Sequence, residues 1–130
     1  MKSYKITSLL IIFFSLVLMS CSEEEHLDKE VNILGVWEKA EVSIESTTTF
    51  RLVFGSNNTG INTESTQFAS GEIISNALSF TWELNNNEVN LYDDNEVHID
   101  TYIITNEGQL FLTNNTLQLE KVSDDYTRFF

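Results

Sequence analysis

The chain has 130 residues, a formal net charge of -13, no proline and a single cysteine. So acidic a chain lacks the basic patches that phosphates demand, which excludes nucleic acid as a partner. One cysteine excludes an internal disulfide, and the length suits one domain with one modest core.

The first twenty residues read as an export signal. Lys2 and Lys5 make a short positive head, and Ile6 to Leu18 then runs almost wholly apolar without a charge. A positive head, an apolar stretch and small residues after it make a secretory signal peptide. The stretch falls short of the about 20 apolar residues a spanning helix needs. A retained N-terminal anchor is the competing reading. Lys2 and Lys5 leave with the signal and no acid does, which takes the net charge of the remaining 110 residues from -13 to -15.

Leu18-Met19-Ser20-Cys21 resembles the bacterial lipoprotein box. The resemblance implies a diacylglycerol on the Cys21 thiol, cleavage just before Cys21, and an acylated new amino group. Two or three acyl chains hold a protein to a bilayer firmly, where one is marginal. A free thiol in an oxidising compartment is the alternative. Anionic headgroups would repel so acidic a chain, so lipid must do the holding.

Ser22-Glu23-Glu24-Glu25 follows the cysteine. Such a run cannot pack and stays solvated. It resembles the acidic signal that lipoproteins of the Bacteroidota carry at this point. That resemblance implies an outer-membrane anchor with the domain on the cell surface; a periplasm-facing domain is the alternative. Residues 21–32 are expected to form the lipidated cysteine and a flexible acidic tether, with a short helical turn near Asp28 to Asn32. His26 sits among the acids of this tether, which offers no fixed metal geometry.

From Ile33 onward the pattern is strand after strand. Val36 to Ile44 alternates late, with Ala40, Val42 and Ile44 on one face. Thr49 to Gly55 groups Phe50, Leu52 and Phe54, and Gly55 to Gly60 is rich in turn residues. Gly60 to Phe68 reads as a polar, Thr-rich strand, and Ile73 and Ile74 fit loop or strand equally. Leu78 to Leu84 has the strictest period of two, with Leu78, Phe80, Trp82 and Leu84 on one face. Glu88 to Tyr92 buries Val89 and Leu91. After the acidic turn Asp93 to Glu96, Val97 to Ile104 sets Val97, Ile99, Thr101 and Ile103 opposite His98, Asp100, Tyr102 and Ile104. Gln109 to Thr113 and Thr116 to Val122 close the series.

Eight short strands at even spacing predict an all-β barrel or sandwich, and an eight-stranded antiparallel up-and-down meander closes on itself. Gly35-Val36-Trp37 matches the G-x-W signature of lipocalins. Together with the Phe-rich second strand, the Trp82 strand and Leu117-x-Leu119, residues 33–122 resemble the small lipocalin-like domain of Bacteroidota lipoproteins. That resemblance implies a barrel in which Gly35 allows a tight entry and Trp37 plugs the closed end. It also implies a basic side chain over Trp37, for which Lys121 is the best positional match and Arg128 the second. Either could instead be a solvated charge. Residues 123–130 are left as a C-terminal tail, in which Phe129 and Phe130 cover a barrel end or dock on a partner.

Chemistry is sparse. Asp93-Asp94-Asn95-Glu96 suits calcium or a solvated turn, and the EF-hand spacing fails. His98 beside Asp100 suggests a base, but no nucleophile stands near, so no enzyme is expected and no cofactor is called for. Phe50, Phe54, Phe80, Trp82 and Tyr102 could line a site for a small apolar ligand, or fill the barrel as core. A filled barrel would act as an interaction subunit of an outer-membrane assembly.

Overall fold

The computed structural model describes residues 32–130. The expected signal, Cys21 and nearly all of the tether lie outside the described residues. The eight strands are β1 (Gly35–Val42), β2 (Ser46–Phe54), β3 (Thr59–Phe68), β4 (Ile73–Asn85), β5 (Glu88–Tyr92), β6 (His98–Ile104), β7 (Leu110–Leu112) and β8 (Gln118–Ser123). Each pairs antiparallel with the next, and β8 returns to β1. The result is the expected closed eight-stranded up-and-down barrel.

With no proline, the turns rest on residues that accept a positive φ. Asn57 and Asn58 between β2 and β3, and Asn86 between β4 and β5, lie near +60°. Asparagine tolerates this region better than most side chains. Asp93 shapes the β5–β6 turn by accepting from the backbone N–H of Asn95 at 2.8 Å and of Val97 at 2.9 Å. Those bonds hold its carboxyl below the usual range. That carboxylate is committed to its turn. Among the described residues no three His, Cys, Asp or Glu side chains converge as metal ligands would.

The strands are unequal, and this sets the shape. β4 starts at Ile73, not Leu78, because Ile73 to Phe80 pair with Gln67 to Gly60 of β3. The strands β2, β3 and β4 have 9, 10 and 13 residues, against 5, 7, 3 and 6 for β5 to β8. One end of the barrel is therefore cut obliquely, with a tall wall of β1 to β4 facing a short one. Ala40, Val42 and Ile44, expected on one face, are all exposed at the top of the tall wall.

The lower half is a packed core. Phe54 is fully shielded and meets Phe80 and Trp82 edge to face, with centroids 5.4 and 5.7 Å apart. Edge-to-face pairs add about 0.5–1.5 kcal/mol each beyond burial. Gly60 stands beside this cluster because a Cβ there would strike the Phe80 ring. Trp37 is 2 % exposed, and its indole N–H donates to the Ile33 carbonyl at 2.9 Å. The choice between the two basic residues falls to Lys121. Its ammonium lies 5.7 Å from the Trp37 ring centroid and donates to the Asn32 carbonyl at 3.0 Å. Arg128 pairs instead with Asp125 on the surface.

Outside the barrel, the C-terminal tail folds back onto β2. It contains a single 3₁₀ turn, Thr127–Phe129. The Arg51 guanidinium bonds Glu38 at 2.6 Å and stacks on Phe129 at 5.3 Å, while the Phe130 ring lies against Gly55. Val53, on the same outer face between Arg51 and Gly55, is consequently fully buried. Phe129 thus lies against the outer wall at β2, and Phe130, 60 % exposed, sits beside Gly55 just past that strand.

Candidate functional site

A cavity of about 220 Å³ opens at the oblique end of the barrel. Its tall wall comes from inward positions paired across three strands. Leu52 faces Asn62, which faces Leu78; one row higher, Phe50 faces Glu64, which faces Asn76. Tyr102 and Asp100 of β6, Leu112 of β7, and Leu117 and Leu119 complete it. Leu78 is 60 % exposed, so the cavity meets solvent on this side.

The lining is divided in chemistry. Leucines and the faces of Phe50 and Tyr102 make an apolar floor, while Glu64, Asp100, Asn62 and Asn76 put two carboxylates and two amides into the same space. Burial pushes the Tyr102 phenol well above its ordinary range, and the neighbouring Asp100 charge pushes the same way. Tyr102 therefore stays a neutral hydroxyl. Arg51 borders the cavity too, but its guanidinium is held by Glu38 and Phe129. The cavity thus presents negative charge with no free cation among the described residues that line it.

The five aromatics expected as a ligand site are split by the structure. Phe50 and Tyr102 line the cavity, whereas Phe54, Phe80 and Trp82 lie in the core. The reason is depth. Phe54 and Phe80 belong to the row of Gly60, one row below Leu52 and Leu78, and Trp82 lies lower still. Gly35 and Trp37 lie together at the closed end, with Trp37 in the core.

The His98–Asp100 pairing does not form. A bulge lets Tyr92 pair with His98 while Leu91 pairs with Asp100. Paired residues share a face, so Asp100 points inward with Leu91 and His98 outward with Tyr92. His98 bonds Thr101 Oγ1 at 2.8 Å and packs edge to face on Tyr92. Val97 and Ile99, set opposite Tyr102 and Ile104 in the sequence, are exposed.

Sequence reasoning missed Asn62, Glu64 and Asn76. A polar strand read alone gives no sign that its even residues face inward. The signal was in the register: once Leu52 and Leu78 face in, the residue between them must do so too. No protein-family model matches this chain, and comparison with curated proteins and with solved structures found no similar protein.

Proposed function

We propose that this chain is a membrane-anchored lipoprotein whose barrel, lipocalin-like in its G-x-W entry, holds a small amphipathic molecule at its open end. The observation that carries the reading is the 220 Å³ cavity, apolar below and anionic at its rim. Dry cavities of about 150 Å³ accept benzene, and drug-sized ligands need about 300 Å³ or more. The space therefore suits a molecule of one or two rings or a short acyl group. A purely apolar molecule would strip water from Glu64 and Asp100 and offer nothing back. A ligand with a cationic or hydrogen-bond-donating head fits both halves.

In this reading Cys21 carries the lipid, the acidic tether leads to the outer face of the outer membrane, and the barrel is carried at the tether's end. Cys21→Ala should leave a folded chain that no longer sediments with membranes. A variant still found wholly in the membrane fraction would sink the lipoprotein assignment.

The ligand reading is tested by native mass spectrometry of the chain released from mild detergent. The expected spectrum carries an added mass that leaves on gentle activation. Glu64→Gln combined with Asp100→Asn should lower its occupancy at least about tenfold, since a hydrogen bond to a charged group contributes about 1.5–3 kcal/mol. A clean unliganded mass would overturn the ligand, and an occupancy indifferent to both substitutions would overturn the anionic rim as its recognition element.

A further inference from the structure

Among the described residues the oblique end leaves two strand edges unpaired, and the chain treats them differently. β1 pairs with β8 only from Val36 to Glu38, which frees Lys39 to Val42. That edge is four residues long and carries Lys39 and Glu41, ion-paired at 3.0 Å. Charged residues are how natural sheets discourage edge-to-edge pairing. β4 pairs with β5 only from Thr81 onward, which frees Ile73 to Phe80. That edge is twice as long, and no charged residue lies between Ile73 and Trp82. Ile73, Ile74 and Leu78 on it are 58–61 % exposed.

The backbone groups that face outward from β4 can be named. The Trp82 N–H donates to the Asn58 carbonyl on the β3 side. Bonding alternates along an antiparallel strand, so even-numbered residues of β4 bond β3 and odd-numbered ones face away. Ser75, Ala77 and Ser79 thus present N–H and C=O groups with no strand opposite among the described residues. A long, uncharged edge of this kind is a template for another strand.

Charge selects the occupant. From Leu52 to Glu120 the chain has no lysine or arginine, while acids recur from Glu64 to Glu120. Glu72 and Glu83 bracket the free edge, and Asp94 bonds Ser79 Oγ at its lower end. The four basic residues after residue 32 are each paired with a carboxylate of their own. A second copy would bring one such anionic side against another. We infer that the free edge of β4 from Ile73 to Phe80 docks an extended, basic segment of another protein, which adds to the sheet as a strand beside β4.

The test uses the full chain in mild detergent and an acetylated, amidated heptapeptide alternating lysine and valine. The peptide should bind, more weakly as salt rises, and should slow amide exchange at Ser75, Ala77 and Ser79 at least tenfold. The same peptide with glutamate for lysine should not bind. Ala77→Pro removes the central outward N–H without touching a β3 bond, and should weaken the lysine peptide at least tenfold. Ala77→Lys, which keeps the backbone intact, should also weaken it, so a folding defect in the proline variant would not hide the answer. Binding that leaves the three amides unprotected would overturn the inference, as mere attraction to an acidic surface. A dimer of the chain that Ala77→Pro dissolves, and that the peptide does not displace, would overturn it in favour of a second copy.

Discussion

Phe54→Ala is expected to lower the unfolding free energy by about 3–5 kcal/mol, the range for removing a fully buried phenylalanine. The size follows from what the ring touches. Phe54 has no exposed surface, and both its aromatic neighbours lean on it edge to face. Phe80 cannot slide into the void unopposed, because its own ring occupies the space left by Gly60. A domain of this size has about 5–15 kcal/mol in total, so the loss is about a fifth of the stability or more. Each kcal/mol is worth about 4–8 °C, and the melting temperature should fall by about 12 °C at least. Denaturant unfolding followed by tryptophan fluorescence measures it, since Trp82 reports from the same cluster. Phe50→Ala is the comparison. Phe50 is half-buried beside an existing cavity, so truncation there widens a space already open to solvent and should cost clearly less. Equal losses at the two positions would mean that the upper half of the barrel is packed as tightly as the lower, and would count against the cavity.

That contrast between the two phenylalanines marks what the sequence could reveal. Strand number and barrel closure were legible, because period-two alternation and Asn-rich turns report local geometry directly. The same alternation put Phe54 and Trp82 at inward positions, though it did not tell core from cavity there, and Trp37 was picked out only by its G-x-W resemblance. The site was much less legible. Phe50 and Phe54 are alike in the sequence and four residues apart on the same strand face, yet one borders solvent and the other does not. Their difference is height in the barrel, which depends on strand lengths and stagger across several pairs. The upper wall defeated pattern reading in two ways. Its inward residues Asn62, Glu64 and Asn76 are polar, so inward and outward positions look alike. Its apolar residues Ile73, Ile74 and Val42 are exposed, so hydrophobicity pointed to burial where there is none. At β6 a single bulged residue turned His98 outward and left Asp100 on the inward face with Tyr102. Nothing in a one-strand pattern carries that information, because a bulge is defined by the partner strand.

Gly35→Ala is expected to open the seam between β1 and β8. Two separate costs meet there. The backbone sits at φ +131°, where a side chain is strained, at about 1–3 kcal/mol. The added Cβ would also lie 2.7 Å from Lys121 Cε, 3.2 Å from Asp124 Cα and still closer to the Ser123 carbonyl. The lysine could move aside, but the backbone of Ser123 and Asp124 cannot, since Val36 pairs with Ser123 across a bulge. Overpacking against fixed neighbours costs about 1–3 kcal/mol more, so the total should reach about 2–6 kcal/mol. Gly108→Ala separates the two costs. Gly108 also has a positive φ, of +79°, but open space where its Cβ would go. It should show the strain alone. Hydrogen exchange then locates the damage: protection should fall first at Val36 to Glu38 and at Glu120 to Ser123, while β3 and β4 keep theirs. Lys121 would lose its position over Trp37 at the same time, since the two residues pair across this seam. If Gly35→Ala cost no more than Gly108→Ala, the tight entry at Gly35 would not be what closes the barrel. Closure would then rest on Trp37 and its cation alone.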